Sequence, residues 1–346
     1  FNWLFARQQG GSFVCRIEDT DRTRLVEGAL EDMVASLQWL GLDPDESPLV
    51  GGAYGPYYQS QRLALYQEHA ERLLESGHAY QCFCPPERLA QLREHRADPG
   101  QKRVYDRRCR TLSPGEASSL AEAGTSSVLR LKMPAAGTIV MQDVLRGEIA
   151  FDAEQLEDII LVKSDGYPTY HLAVVVDDHA MAISHVLRAD EWIPSVPYQI
   201  VLYGAFGWPQ PVWVHLPMVL NPDGQGKLSK RKTMDADGHP LQQMTQVREY
   251  RAAGYLPETM FNYLALQGWA FSGEEQVFDR EQALARFRLE DIRPSPAAWD
   301  LDKLAWMNGV YIRQLDADDL AERLLPFLKQ AGLPADRETV RRAIPM

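Results

Sequence analysis

The chain has 346 residues, 45% of them hydrophobic and 24% charged, with a formal net charge of −12. Length and composition fit a globular protein of two or three structural units, and the acidic balance argues against a nucleic-acid coat protein while leaving local basic patches able to bind phosphates. No run of about 18 uncharged apolar residues predicts a transmembrane helix, and four cysteines beside eight tryptophans do not make a disulfide scaffold, so a reducing compartment is expected.

The opening residues, FNWLFARQQGG, place Phe1, Leu4 and Phe5 at helical spacing, with Arg7 in the last turn and glycines as the stop. Neither an N-cap residue nor an initiator Met precedes them, so a segment before Phe1 is expected. Residues 12–21, SFVCRIEDTD, predict a buried strand ending in acidic side chains. Residues 25–42 and 57–77 predict amphipathic helices closed by Gly41 and Gly77. This strand–helix alternation points to an α/β fold with a parallel sheet. From residue 79 to residue 158 the character changes. A short basic stretch carries Cys82, Cys84 and Cys109, and strands are predicted over 126–134 and 138–151, the latter a hairpin around Arg146-Gly147. This reads as a small inserted domain. The α/β pattern resumes with a strand at 158–165, a helix at 167–179, a strand at 182–189, a helix at 191–207 and a short strand at 212–216. Beyond residue 241 the signals are helical, over 247–270, 301–315 and 320–333.

Three stretches carry chemistry. The loop NPDGQGKLSKRKTMDADG, residues 221–238, sets Lys227, Lys230, Arg231 and Lys232 within six residues of one another between glycines. Such a loop can wrap a polyphosphate, lysine acting as a compact point charge that follows moving oxygens. A solvated basic turn is the alternative for a generic cluster. RIEDTDRTR, residues 16–24, ends a strand with carboxylates that suit an ammonium group, a metal or the capping of the next helix. Arg188 stands at the C-terminal end of a predicted strand, where open α/β sheets place ligands, and its planar guanidinium suits a carboxylate. His171, His179, His185 and His215 show no zinc-protease or triad spacing, and no complete G-x-G-x-x-G or P-loop is present.

KLSKRK resembles the KMSKS loop of class I aminoacyl-tRNA synthetases, in the form of their glutamyl branch. RIEDTD resembles a motif of glutamyl-tRNA synthetases, where glutaminyl enzymes read DDTNP. The resemblance covers essentially the whole chain, including LDKLAWMNGVYIR at 301–313. It implies a class I Rossmann-type parallel sheet split by an insertion. The first part of the catalytic domain spans 1–77, an acceptor-stem-binding insertion 78–158, and the second part of the catalytic domain, with the KLSKRK loop, 159–235. A mainly helical stem-contact domain spans 236–312, and the start of an all-α anticodon-binding domain 313–346.

The implied reaction is ATP-dependent ligation of L-glutamate to the 3′ end of tRNA(Glu) through a glutamyl-adenylate, with Mg²⁺ accompanying ATP and AMP and diphosphate released. The resemblance assigns Lys227 and Lys230 to catalysis and Trp192, Val219, Lys227, Leu228, Ser229, Lys230 and Arg231 to ATP. It assigns Glu18, Tyr170, Val174 and Arg188 to glutamate, and Asp21 and Arg24 to tRNA. Many relatives carry Asn where Val174 stands. The HIGH motif of the family is expected before Phe1. Some relatives hold zinc in the insertion through C-x-C and a later C-x-H. Cys82, Cys84 and Cys109 with Tyr105 form the corresponding set, but Thr111 stands in the place of the histidine, so reduced cysteines without zinc are expected. Alternatives are a glutamyl-queuosine-type enzyme, against which residues 241–346 count, and a catalytically inactive tRNA-binding paralogue. A monomer in a bacterial cytoplasm, with the mitochondrial matrix as the second possibility, completes the expectation.

Overall fold

The computed structural model describes residues 1–21, 28–94, 105–228, 244–273, 275–334 and 336–344. Helix α1 (Asn2–Gln8) forms where the apolar spacing predicts it and buries Leu4. Residues 12–18 are extended but join no sheet. Their backbone is bonded along one flank to residues 45–59, with Cys15 N donating to Glu46 O at 2.8 Å and Ile17 N to Tyr57 O at 2.8 Å. The predicted buried strand is thus reduced to isolated parallel bridges, Val14 with Glu46 and Ile17 with Tyr58. Helix α2 (Ala29–Trp39) starts after Gly28, whose φ of 75° is one that side chains strain to adopt. Helix α3 (Leu63–Glu75) buries Tyr66, Ala70 and Leu73 along one stripe, the spacing of an amphipathic helix.

Strand β1 (Ala79–Cys82) is followed by α4 (Pro86–Glu94) and α5 (Pro114–Glu122). The sequence reading missed both helices. The signal for α5 was present: Ser113 and Glu116 form a capping box ahead of it. Next come β2 (Val128–Leu131), β3 (Thr138–Asp143), β4 (Gly147–Asp152) and β5 (Ile160–Val162), then α6 (Tyr170–Ala180), β6 (His185–Ala189), α7 (Val196–Phe206) and β7 (Val212–Leu216). The strands sort by pairing rather than by chain order. β1, β2 and β5 make an antiparallel sheet, so β5 joins the inserted region. The hairpin β3–β4 joins β7 and β6 in a four-stranded sheet of order β4-β3-β7-β6. There β6 and β7 run parallel, with Arg188 opposite His215, and β3 meets β7 at Asp143 and Trp213.

The chain forms two compact units, one of Phe1–Glu27, Pro44–Pro217 and Arg288–Pro294, the other of Gly28–Asp43, Met218–Phe287 and Ser295–Met346. The core of the first gathers Tyr66, Leu131, Met141, Leu161, Leu172 and Trp213. In the second, β8 (Val219–Leu220) pairs in parallel with β9 (Ala297–Ala298). Its helices are α2, α8 (Val247–Ala252), α9 (Pro257–Ala265), α10 (Arg280–Arg286), α11 (Leu301–Gln314), α12 (Ala317–Gln330) and α13 (Arg337–Ala343). Tyr250, Met260, Tyr263, Trp299, Leu304 and Met307 fill that core. Among the described residues no helix is long and apolar enough to cross a membrane.

In the first unit an ionic hub ties distant segments together. Asp177 of α6 is fully buried and accepts from Arg62 Nε at 2.6 Å, Tyr66 Oη at 2.8 Å and Gln59 Nε2 at 2.9 Å. Arg16 Nε lies 3.5 Å away. A buried charge stripped of its partner is far costlier than the intact pair is favourable. Asp177→Ala, which strands the buried Arg62, should therefore lose about 3–5 kcal/mol of stability in urea denaturation. A loss below about 1 kcal/mol, the value of a surface pair, would show that the hub holds nothing.

Candidate functional site

The end of the parallel pair β6–β7 carries Arg188, and each polar position of its guanidinium is engaged. Nη1 donates to Tyr170 Oη at 2.8 Å, Nη2 to Gln199 Oε1 at 2.8 Å and Nε to His215 Nε2 at 3.3 Å. The guanidinium also lies 5.4 Å from the Trp213 ring centre. His215 is fully buried, and its Nδ1 lies 2.7 Å from Asp143 Oδ2. These partners come from four elements, β3, α6, α7 and β7, so the arrangement exists only in the folded chain.

Arg188 opens onto a cleft of about 300 Å³ that also includes Arg16, Glu18, Tyr170, Val174 and Asp178 in its walls. Glu18, Tyr170, Val174 and Arg188, assigned to one ligand by resemblance, are therefore brought together. Tyr170, Val174 and Asp178 follow one another at four-residue intervals on α6 and so share a face. Val174 is buried and leaves that wall apolar where many relatives have an amide. Glu18 and Arg16, two residues apart in an extended segment, point the same way. Arg16 Nη2 contacts Glu18 Oε1 at 3.4 Å and Asp178 Oδ1 at 2.9 Å. Burial pushes the Asp178 carboxyl up to about 6, against the pull of Arg16. Asp19 accepts from Ser60 N at 2.8 Å and Ser60 Oγ at 2.6 Å, which ties it to the turn ahead of α3 and not to the next helix in sequence.

The sequence reading gave no site role to Arg16, Asp143, Asp178, Gln199 or His215. The four-residue spacing on α6 and the alternation around Glu18 could have pointed to Asp178 and Arg16. Nothing local marks Asp143, Gln199 or His215.

The remaining assignments are spread more widely. The Trp192 ring is 38% exposed and packs 4.8 Å from the Tyr170 ring, centre to centre. Val219, Lys227 and Leu228 belong to the second unit. There Leu228 N donates to Val219 O at 2.9 Å, and Lys227 bridges to Leu220. Asp21 is exposed. Arg24, Ser229, Lys230 and Arg231 lie outside the described residues.

Cys82, Cys84 and Cys109 also converge, their sulfurs within 4.8 Å of one another. Tyr105 Oη lies 3.2 Å from Cys82 Sγ and 3.8 Å from Cys84 Sγ, and the Arg130 guanidinium covers the Tyr105 ring at 4.0 Å. Burial, then the contact with Cys82, raises the Tyr105 phenol above its ordinary value. Burial likewise pushes Cys84 up to about 11. Thr111 spends its hydroxyl on the Arg108 carbonyl at 3.3 Å. Three sulfurs stand together, one short of the four ligands of a structural zinc site, with Tyr105 Oη rather than a histidine beside them.

The sequence profile described as "tRNA synthetases class I (E and Q), catalytic domain" matches residues 1–306. The chain belongs to that family of class I tRNA synthetases. A protein of Dehalococcoides mccartyi named glutamate–tRNA ligase is 51% identical over 330 residues, covering 95% of this chain and 64% of that protein. One of Thermus thermophilus with the same name is 46% identical over 346 residues, covering 99% of this chain and 70% of that one. The fold is similar to the crystal structure of a glutamate tRNA ligase from Elizabethkingia meningosepticum in complex with its amino acid. The TM-score there is 0.88 and the identity 35%, with 99% of this chain and 71% of that one covered. The chain thus spans less than two thirds of the length of the Dehalococcoides relative.

Two outcomes follow from this geometry. Metal analysis of protein purified without chelators should find well under one zinc per chain. Stoichiometric zinc that disappears in Cys82→Ser would reverse that reading. His171, beside Tyr170, has a buried Nδ1 without a hydrogen bond, and burial with the charge of Arg188 lowers its pKa from 6.5 to about 4. Between those values the unfolded chain binds a proton that the folded chain refuses, so stability falls as pH drops through that window. His171→Gln should flatten the decline. An unchanged slope in denaturation between pH 6.5 and pH 4 would assign it to other groups.

Proposed function

We propose that this chain activates L-glutamate with ATP and passes the glutamyl group to the 3′ end of tRNA(Glu). The observation that carries the reading is Arg188, fixed by Tyr170, Gln199 and His215 in a cleft shared with Glu18. A guanidinium and a carboxylate in one cleft match the two ends of an amino acid whose side chain is itself anionic. Arg188 receives the side-chain carboxylate, and Glu18 the ammonium side. Tyr170 forms the wall between them, and the apolar Val174 packs against the methylenes. Names of relatives at about half identity support the same substrate.

In the first step an α-carboxylate oxygen of glutamate attacks the α-phosphorus of ATP in line, and diphosphate leaves. In the second a hydroxyl of the terminal ribose attacks the acyl carbon of the adenylate, and AMP leaves. No side-chain nucleophile takes part, so the protein works by positioning and charge stabilisation. Lys227 and Lys230 balance charge shifting onto the phosphates, with Mg²⁺ arriving on ATP, and Trp192 packs on the nucleotide. Val219, Leu228, Ser229 and Arg231 complete the nucleotide contacts, and Asp21 and Arg24 meet tRNA. The division at residues 77, 158, 235 and 312 then separates catalytic, acceptor-stem, stem-contact and anticodon-binding parts. We propose a cytoplasmic location, which the bacterial origin of the relatives supports, and a monomer.

The test is ATP–diphosphate exchange and aminoacylation with the full-length protein, glutamate and tRNA(Glu). Exchange that depends on glutamate supports the reading, and exchange driven equally by another amino acid ends it. Arg188→Gln should lower kcat/KM for glutamate by about 10²–10³-fold, the loss of a charge-assisted pair, and narrow the gap to glutamine. Arg188→Lys should also be poor, because the charge remains but the planar fork is gone. Near-wild-type glutamate charging by either variant would make Arg188 a bystander.

A further inference from the structure

The guanidinium of Arg188 has five N–H donors and no acceptor. Tyr170, Gln199 and His215 take one each. Two donors remain, one on Nη1 and one on Nη2, available to an anionic group in the cleft.

The contact with His215 is conditional. An imidazole nitrogen accepts from Nε–H only when it carries no proton. An imidazolium would set a second donor and a second positive charge against the guanidinium. His215 must therefore be neutral with its proton on Nδ1, and Asp143 is built to enforce that. Asp143 Oδ2 accepts from His215 Nδ1 at 2.7 Å and from His215 N at 3.0 Å, while Oδ1 accepts from Leu145 N and Arg146 N, each at 3.0 Å. Four donated hydrogen bonds thus converge on this one carboxyl and use both of its oxygens as acceptors. A carboxylate at Nδ1 places the proton there and leaves the lone pair on Nε2.

We propose that Asp143 and His215 are positioning residues for substrate selection: Asp143 sets the tautomer of His215, and His215 Nε2 fixes Arg188 so that its two spare donors serve the cleft. The inference rests on the reading of Arg188 as the receiver of the glutamate side chain. Neither residue touches substrate. Both act through the guanidinium.

Asp143→Asn is the decisive variant. Both carboxylate oxygens are in use as acceptors, so an amide must present NH₂ to one set of donors. Keeping its oxygen toward the Leu145 and Arg146 N–H groups turns NH₂ toward His215, which moves the imidazole proton to Nε2 and opposes Arg188. KM for glutamate should rise about 10–100-fold, the range that misplacement of a binding group produces. The KM for ATP and kcat should change by less than about threefold, the signature of lost uniform binding. Preference for glutamate over glutamine should narrow. Adding His215→Gln to Asp143→Asn should recover part of the glutamate KM, because a glutamine carbonyl accepts from Nε–H without regard to a tautomer. A merely structural role would show no such recovery. Unchanged KM in Asp143→Asn, or equal loss for glutamate and ATP, would overturn the proposal.

Nitrogen-15 NMR of the histidine rings in the wild-type protein, with the His215 signal identified by its loss in His215→Gln, decides the geometry even if Asp143→Asn fails to fold. A proton on Nδ1 and a bare Nε2 are expected, and a proton on Nε2 near neutral pH would overturn the scheme. Absence of glutamate-dependent exchange in the wild-type protein would remove the functional reading instead, leaving this tautomer measurement intact.

Discussion

A single buried carboxylate organises the first unit. Asp177 has no access to water, so its charge survives only because Arg62, Gln59, Tyr66 and Arg16 surround it. The partners come from three places in the chain: the extended segment 12–18, the turn at 59–62 and helix α3. Satisfying one buried charge thus fixes three segments against α6, and α6 is the helix whose adjoining face offers Tyr170, Val174 and Asp178 to the cleft. Stability and site geometry share one source here. The desolvation cost of Asp177 is met by the contacts that set α6 in place.

The cleft continues that logic outward. Arg16 contacts Asp177 on its inner side and Asp178 and Glu18 on its outer side, so a buried ion network grades into an accessible one. Arg188 lies across the same cleft, clamped through every nitrogen. Holding a long cationic side chain in one orientation costs rotamer entropy, and here that cost is met on folding rather than when substrate arrives. On the proposed function, discrimination between an acid and its amide would draw on this rigidity. A mobile arginine could turn away from a mismatched amide, whereas a clamped one leaves its donors opposed to those of the amide.

The sheets show how pairing outranks chain order. The hairpin β3–β4 lies within the stretch read as an insertion but bonds to β7, which puts Asp143 beside His215 although 72 positions separate them. β5 bonds the other way, to β2. A division drawn from composition reads the chain linearly and has no means of registering such exchanges.

By itself the sequence determined many element types, because hydrophobic period and glycine stops are local properties: α1, α2, α3, α6, α7, α8, α9, α11 and α12 lie where their spacing predicts, whereas α10 and α13 were not read. The motifs RIEDTD and KLSKRK, with Arg188 at a strand end, were enough to point to the family, since they are short, contiguous strings. What only the tertiary structure decided is whatever depends on contacts between distant positions. Residues 12–18 looked like a sheet strand because their apolar run is one, yet hydrogen bonding along a single flank keeps them out of any sheet. Asp143, Gln199 and His215 carry no local signature, for a lone acid, amide or histidine has an ordinary reading anywhere in a sequence. Their role arises from buried polar groups needing partners, and which partners are within about 3 Å is settled only when β3, α7 and β7 pack against β6.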